Sequence, residues 1–151
     1  MESARLSVEA LHIVRIDPGE DVLAAVEAFL AESRVRQAVV VAGYGTLAAH
    51  HLHWVTHNRL PADNTFGRGS GGIEILSMNG LVVEGVPHIH VTLSTPEGAY
   101  GGHLEPGCIT YVLCEVFLAE VAGAALSRRQ VEVDVPDMGR GEVPRLTFGR
   151  P

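Results

Sequence analysis

The segment Val86 to Leu104, VPHIHVTLSTPEGAYGGHL, constrains the fold most, because it alternates, turns and comes back. On an extended strand residues i and i+2 share a face, about 6.6 to 6.8 Å apart. His88 and His90 therefore point one way and Ile89, Val91 and Leu93 the other, the pattern of a half-buried strand. Thr95-Pro96-Glu97-Gly98 is a turn signal, with proline presetting φ and glycine accepting positive φ. Tyr100-Gly101-Gly102-His103 then runs back beside the first strand, and the glycine pair admits a close approach of backbone or ligand.

This geometry brings His88, His90 and His103 together. Three neutral imidazoles on a rigid frame, with a fourth position open to water or substrate, form a zinc donor set, so these three are the candidate metal ligands. The competing reading is plain: a chain with eight histidines places some on strand faces with no ligand to hold. His51 and His53 also share a face, but no chain reversal nearby supplies them with a third ligand. They and His50 read as exposed strand histidines.

A chain of 151 residues makes one ordinary domain, spanning 1–151, able to bury roughly 68 to 70% of its unfolded surface. Hydrophobic residues at 46% and charged residues at 19% describe a globular rather than a disordered chain. No apolar run approaches the roughly 20 residues of a membrane span, and MESARLSVEA lacks the basic and apolar regions of a signal peptide, so a cytoplasmic location without membrane partners is expected. The net charge of −7, with every basic residue an arginine and only Arg128-Arg129 adjacent, disfavours DNA as a partner. Cys108 and Cys114 lie six residues apart in one strand, about 20 Å at roughly 3.3 Å per residue, too far for a disulfide. They are expected to be reduced packing residues.

Along the chain, Arg5 to Ile16 reads as an opening strand. Asp17-Pro18-Gly19-Glu20 offers an N-cap, a proline at N1 and a glutamate at N3 for a helix of about four turns carrying Val22, Leu23, Val26, Phe29 and Leu30. Gln37 to Ala42 reads as a strand buried on both faces, interrupted at Gly43-Tyr44-Gly45 and followed by a strand from Leu47 to Val55. Thr56 to Gly72 reads as a long loop, either a lid, a disordered stretch or, by preference, an ordered arm at an interface. Ile73 to Met78 and Leu81 to Val86 pair across an Asn79-Gly80 turn, and Pro87 breaks the ladder before His88. Cys108 to Val121 is a long strand in which Glu115 and Glu120 fall on opposite faces. Either would orient a ligand or act as a base only if it faced the site; a solvated or interfacial charge is the simpler role. Val131 to Val135 is the last strand, ending a core of about 5–135, and 136–151 reads as a surface tail.

Several of these stretches together resemble the PPC domain family, the plant and prokaryote domain also found attached to AT-hook motifs. They are Pro18-Gly19-Glu20-Asp21-Val22, Ala42-Gly43-Tyr44-Gly45-Thr46, Gly72-Ile73-Glu74-Ile75-Leu76-Ser77 with Gly80, His88-Ile89-His90-Val91, Gly101-Gly102-His103-Leu104, and Gly107 with Glu115-Val116. The resemblance implies an α+β (α/β) domain, a mostly antiparallel sheet with flanking helices, assembling as a homotrimer. It also implies a stand-alone prokaryotic member of the kind given a DNA-binding role by analogy. The AT-hook itself is absent, Gly149-Arg150-Pro151 being only a fragment of it. The fold is also similar to that of α-acetolactate decarboxylase, where a His-x-His and a later histidine hold zinc; the matching positions are His88, His90 and His103. Three functions follow: a zinc protein with a small-molecule ligand, whose enzymatic form is a lyase or hydrolase; a regulatory or DNA-associated oligomer without catalysis; or a pure trimeric scaffold.

Overall fold

The computed structural model describes residues 1–149, so most of the Gly149-Arg150-Pro151 fragment lies outside the described residues. Eight strands and one helix follow in the order β1 (Ser7–Ile16), α1 (Val22–Ser33), β2 (Ala38–Val55), β3 (Asn64–Val83), β4 (Val86–Thr95), β5 (Gly98–Leu104), β6 (Ile109–Ala122), β7 (Ala125–Val135) and β8 (Gly139–Gly149). Every pairing between strands is antiparallel. The mostly antiparallel sheet matches expectation; the flanking helices reduce to one. No helix among the described residues is long and apolar enough to cross a membrane.

Six strands form one sheet in the order β1-β6-β2-β3-β4-β5, and β5 pairs back on β2, so that β2, β3, β4 and β5 close a ring of pairings. β2 is the shared element. Its first half, Ala38 to Gly45, lies between β3 and β6, and its end, Leu52 and His53, lies between β3 and β5. The glycine motif expected to interrupt it instead keeps it continuous: a Cβ on Gly45 would stand 2.3 Å from the Leu113 carbonyl oxygen, so only glycine lets the two backbones pass.

A bulge after Leu47 decides which way the rest of β2 faces. Leu47 and Leu52 are both fully buried although five residues separate them, which simple alternation forbids. The pairings to β3 and β6 slip between Leu47 and Ala49, reversing the parity. Leu52 thereby turns to the core and His51 and His53 to the other face.

Val22, Val26 and Leu30 of α1 are buried against β1, β4 and β6, joined in the core by Ile16, Val40, Ile89, Leu93 and Leu118. Burying each such side chain contributes about 1.5–3 kcal/mol. The helix starts later than its sequence cues suggest. Asp21 is the N-cap, accepting from the Ala24 amide at 3.0 Å, while Asp17 to Glu20 makes a turn held by the Asp17 amide on Glu20 Oε2 at 2.8 Å. Gly19 at φ 87° cannot join a right-handed helix.

Five other expectations change. Val41 is half exposed, so the first part of β2 is buried on one face only. The supposed loop 56–72 is mostly strand, because Gly67 and Gly69 leave room for the rings of Trp54 and His50 on β2. β3 runs straight through Asn79-Gly80, where a Cβ would strike the His88 carbonyl oxygen; the reversal comes at Glu84-Gly85, both at positive φ. Pro87 sits inside β4, opposite Val82, at a level where β5 has not yet joined the other edge. Finally, the tail is β8, which pairs with a longer β7 to form a separate two-stranded ribbon. Cys108 and Cys114 are buried and free, as expected.

Candidate metal centre

The register places three histidines at one level. His53 on β2 stands opposite His103 on β5, and His103 stands opposite His90 on β4. Residues directly opposite one another in antiparallel strands point to the same side, so the imidazoles gather on the face away from Leu52, Ile89 and Leu104. His88, two residues before His90, joins them. The His103 ring centroid is 4.3 Å from that of His53, 4.5 Å from His88 and 5.5 Å from His90. The two-residue turn Pro96-Glu97 and the glycine pair bring His103 back as expected; a Cβ on Gly102 would stand 2.9 Å from the His53 carbonyl oxygen.

Glu105 ties two of the rings. Its Oε1 lies 2.6 Å from His53 Nδ1 and 3.2 Å from His103 Nδ1. An ionised carboxylate only accepts, so His53 donates through Nδ1–H and keeps its lone pair on Nε2. His103 Nδ1, fully buried, lacks the angle for a hydrogen bond. Ligand atoms of His53, His103 and Glu105 all fall within 4.8 Å of one another. His88 and His90 approach through Nε2 atoms 3.1 Å apart. Two nitrogens on one tetrahedral zinc, each at about 2.0–2.1 Å, are about 3.3–3.4 Å apart, so this pair already has the spacing of shared coordination.

The electrostatics favour the neutral form of two of the rings, His88 and His103. Burial, followed by the neighbouring His103, Arg128, His90 and His53, lowers the His88 pKa to about 4. Burial and then His53 also lower that of His103, against an opposing pull from Glu105. Neutral imidazole is the form that binds a metal, and an unpartnered buried ring nitrogen beside a carboxylate and three further imidazoles fits zinc. Beside the rings opens a shallow cleft of about 450 Å³, lined by His53, Trp54, His90, Gly101 and His103 among others.

All three sequence-chosen histidines therefore meet. His53 joins them within the same chain, although by sequence it belonged to a second pair with His51; His51 instead turns to the Pro106 carbonyl at 2.8 Å. His50 lies beside Tyr100. Glu115 and Glu120 are elsewhere, bonded to Tyr44 and to His12. Glu105, which precedes a Pro106-Gly107 turn, is not among the sequence-chosen ligands, yet its i+2 spacing from His103 puts both on one face, the same rule that paired His88 with His90.

The sequence pattern of the Plants and Prokaryotes Conserved domain matches residues 4–122. The bifunctional protein GlmU of Synechococcus sp. (strain JA-3-3Ab) is 28% identical over 117 residues, 77% of this chain but 18% of its own length. The chain thus spans about a fifth of the curated relatives it matches. The metal-containing protein AF0104 of Archaeoglobus fulgidus is 25% identical with a TM-score of 0.73, over 92% of this chain and 96% of that one. A plant- and prokaryote-conserved protein of Pyrococcus horikoshii is 26% identical with a TM-score of 0.73, over 87% and 92%. A Staphylococcus aureus protein described as similar to α-acetolactate decarboxylase shares the fold more loosely, at 18% identity and a TM-score of 0.51, over 74% and 52%. With its histidine segment and surrounding sheet inside the matched region, the chain belongs to the Plants and Prokaryotes Conserved domain family.

Proposed function

We propose that this protein holds a zinc ion through His88, His90 and His103 and uses the centre to bind, or act on, a small molecule in the adjoining cleft. The 3.1 Å approach of His88 Nε2 to His90 Nε2 beside His103 carries this reading. In it Glu105 fixes the ring orientations from behind, a role that carboxylates often take beside metal-binding histidines. A zinc with one open position polarises a carbonyl or lowers the pKa of its water, which suits a lyase or hydrolase. A second donor set, His53 with His103 and Glu105, is favoured by the 4.8 Å clustering of their ligand atoms.

Metal analysis of untagged protein tests both. One zinc per chain is expected in the wild type and none in His90→Ala. Loss in His53→Ala with retention in His90→Ala would move the ion to the second set, and absence of stoichiometric metal from the wild type would end the reading.

The same reading includes a homotrimer. On β1, β6 and β2, the face opposite Val14 and Ile16 leaves Leu11, Ile13, Tyr44 and Tyr111 exposed, an apolar surface of the kind that assembly covers. Sedimentation at micromolar concentration should give three chains per particle; monomers would refute it. The alternative, a DNA-associated oligomer, has the charge of −7 against it.

A further inference from the structure

The ribbon of β7 and β8 lies beyond the residues that match the family, and it is moored at two points. At its base the Leu126 amide donates to Gln37 Oε1, and Gln37 Nε2 donates to the Ala124 carbonyl at 3.1 Å. At its tip the Leu60 amide donates to the Met138 carbonyl at 2.7 Å. Gln37 immediately precedes β2 and Leu60 follows its end, so the ribbon bridges the two ends of the strand that carries His53.

One cation on this ribbon has no assigned work. Arg128 is two residues beyond the buried Leu126 and so shares its inward face. It is half-buried, yet it makes no ion pair among the described residues, unlike Arg15 and Arg140 with Asp17 and Glu132. The register sets the level of its mooring. Ala38 pairs with Val82 and Val82 with Pro87, so the mooring at Gln37 sits at the Val86 end of β4. Two residues along β7 from that mooring is Arg128, and two residues along β4 from Val86 is His88. The Arg128 charge is one of those that disfavour protonation of His88, in keeping with this placement.

We propose that Arg128 is the anion-binding residue of the histidine centre, holding an oxyanion group, carboxylate or phosphate, of the molecule that occupies it. This deepens the metal-centre reading and rests on it. A guanidinium presents a rigid fork of donors that suits an oxyanion, and a partly buried one without an acidic partner is open to take it up. A small molecule with a carbonyl or water-reactive group beside an anionic group would then span both the metal and the ribbon.

Acetate and inorganic phosphate, titrated calorimetrically into protein carrying one zinc per chain, separate the two readings. Zinc content is measured first on every variant, and its absence from the wild type would refute the metal centre by itself. Arg128→Gln should keep zinc and bind at least one of the two anions about tenfold or more weakly, Arg128→Lys should lose less, and Arg129→Gln, at the exposed neighbour, should match the wild type. Equal anion affinity in Arg128→Gln and wild type, or no binding of either anion by the wild type, would overturn the role of Arg128 while leaving zinc content to speak for the centre. Should the wild type hold no zinc, the same titration on metal-free protein decides Arg128 by the same tenfold criterion.

Discussion

The two halves of β2 have the same backbone and opposite duties. From Ala38 to Gly45 the strand lies between β3 and β6, alternating buried Ala38 and Val40 with small or exposed residues, and contributes apolar packing. From Ala49 to Val55 it trades β6 for β5 and carries His50, His51, His53 and Trp54. Polar rings are tolerated there because the far face, through Leu52, still reaches the core. One long strand thus keeps the histidine-bearing region rigid by rooting it in an inert one, which is how a site gains precision without a loop.

Leu118→Ala should show the largest effect, since this fully buried side chain sits on β6 opposite Val40 in the inert half. A loss of about 2–5 kcal/mol is expected in urea unfolding, with zinc content per folded chain unchanged. A parallel loss of zinc would mean that the halves are not separable. Glu105→Gln attacks the other half: zinc affinity should fall about 10- to 100-fold with little change in the stability of the metal-free protein.

Acid should act on the reactive half. His88 is neutral in the folded protein down to about pH 4, whereas in the unfolded chain it protonates near the ordinary histidine value of 6.5. The unfolded state therefore binds more protons between these values, so stability of the metal-free protein should decline as pH falls from 6.5 toward 4 and this contribution should level off below. His88→Gln should flatten that segment of the profile; an unchanged slope would assign the acid sensitivity to other groups. Asp21→Ala gives the smallest expected change, about 1 kcal/mol for a lost helix cap. Because Asp21 Oδ2 also accepts from the Gly107 amide, just past Glu105, weaker zinc binding in this variant would show that the turn beside the centre leans on the cap.

Much of the site was legible because strand parity is a local rule. It put His88 with His90, and the Pro96-Glu97 turn with two glycines returned His103. Applied once more it reaches Glu105. His53 and Arg128 were not legible, because their places depend on pairings between distant segments, the closure of β5 on β2 and the mooring of the ribbon at Gln37. The glycines misled for a related reason. Gly67, Gly69 and Gly80 look like punctuation in the chain, yet each makes room for something on a neighbouring strand: Trp54, His50 and the His88 carbonyl. β8 escaped notice because Pro144 and its exposed arginines suit an edge strand as well as they suit a tail.

The bulge after Leu47 makes the protein intolerant of changes in length rather than in identity. Inserting one residue between Ala49 and Leu52, beyond the bulge, would reverse the parity again, drive His51 and His53 inward and expel Leu52, dismantling core and centre together for the addition of a single residue. Insertions between His57 and Pro61, where no strand ladder runs, would leave the same rings in place. Lineages of this fold should therefore drift freely in the length of that connection and gain no single residue between Leu47 and His53.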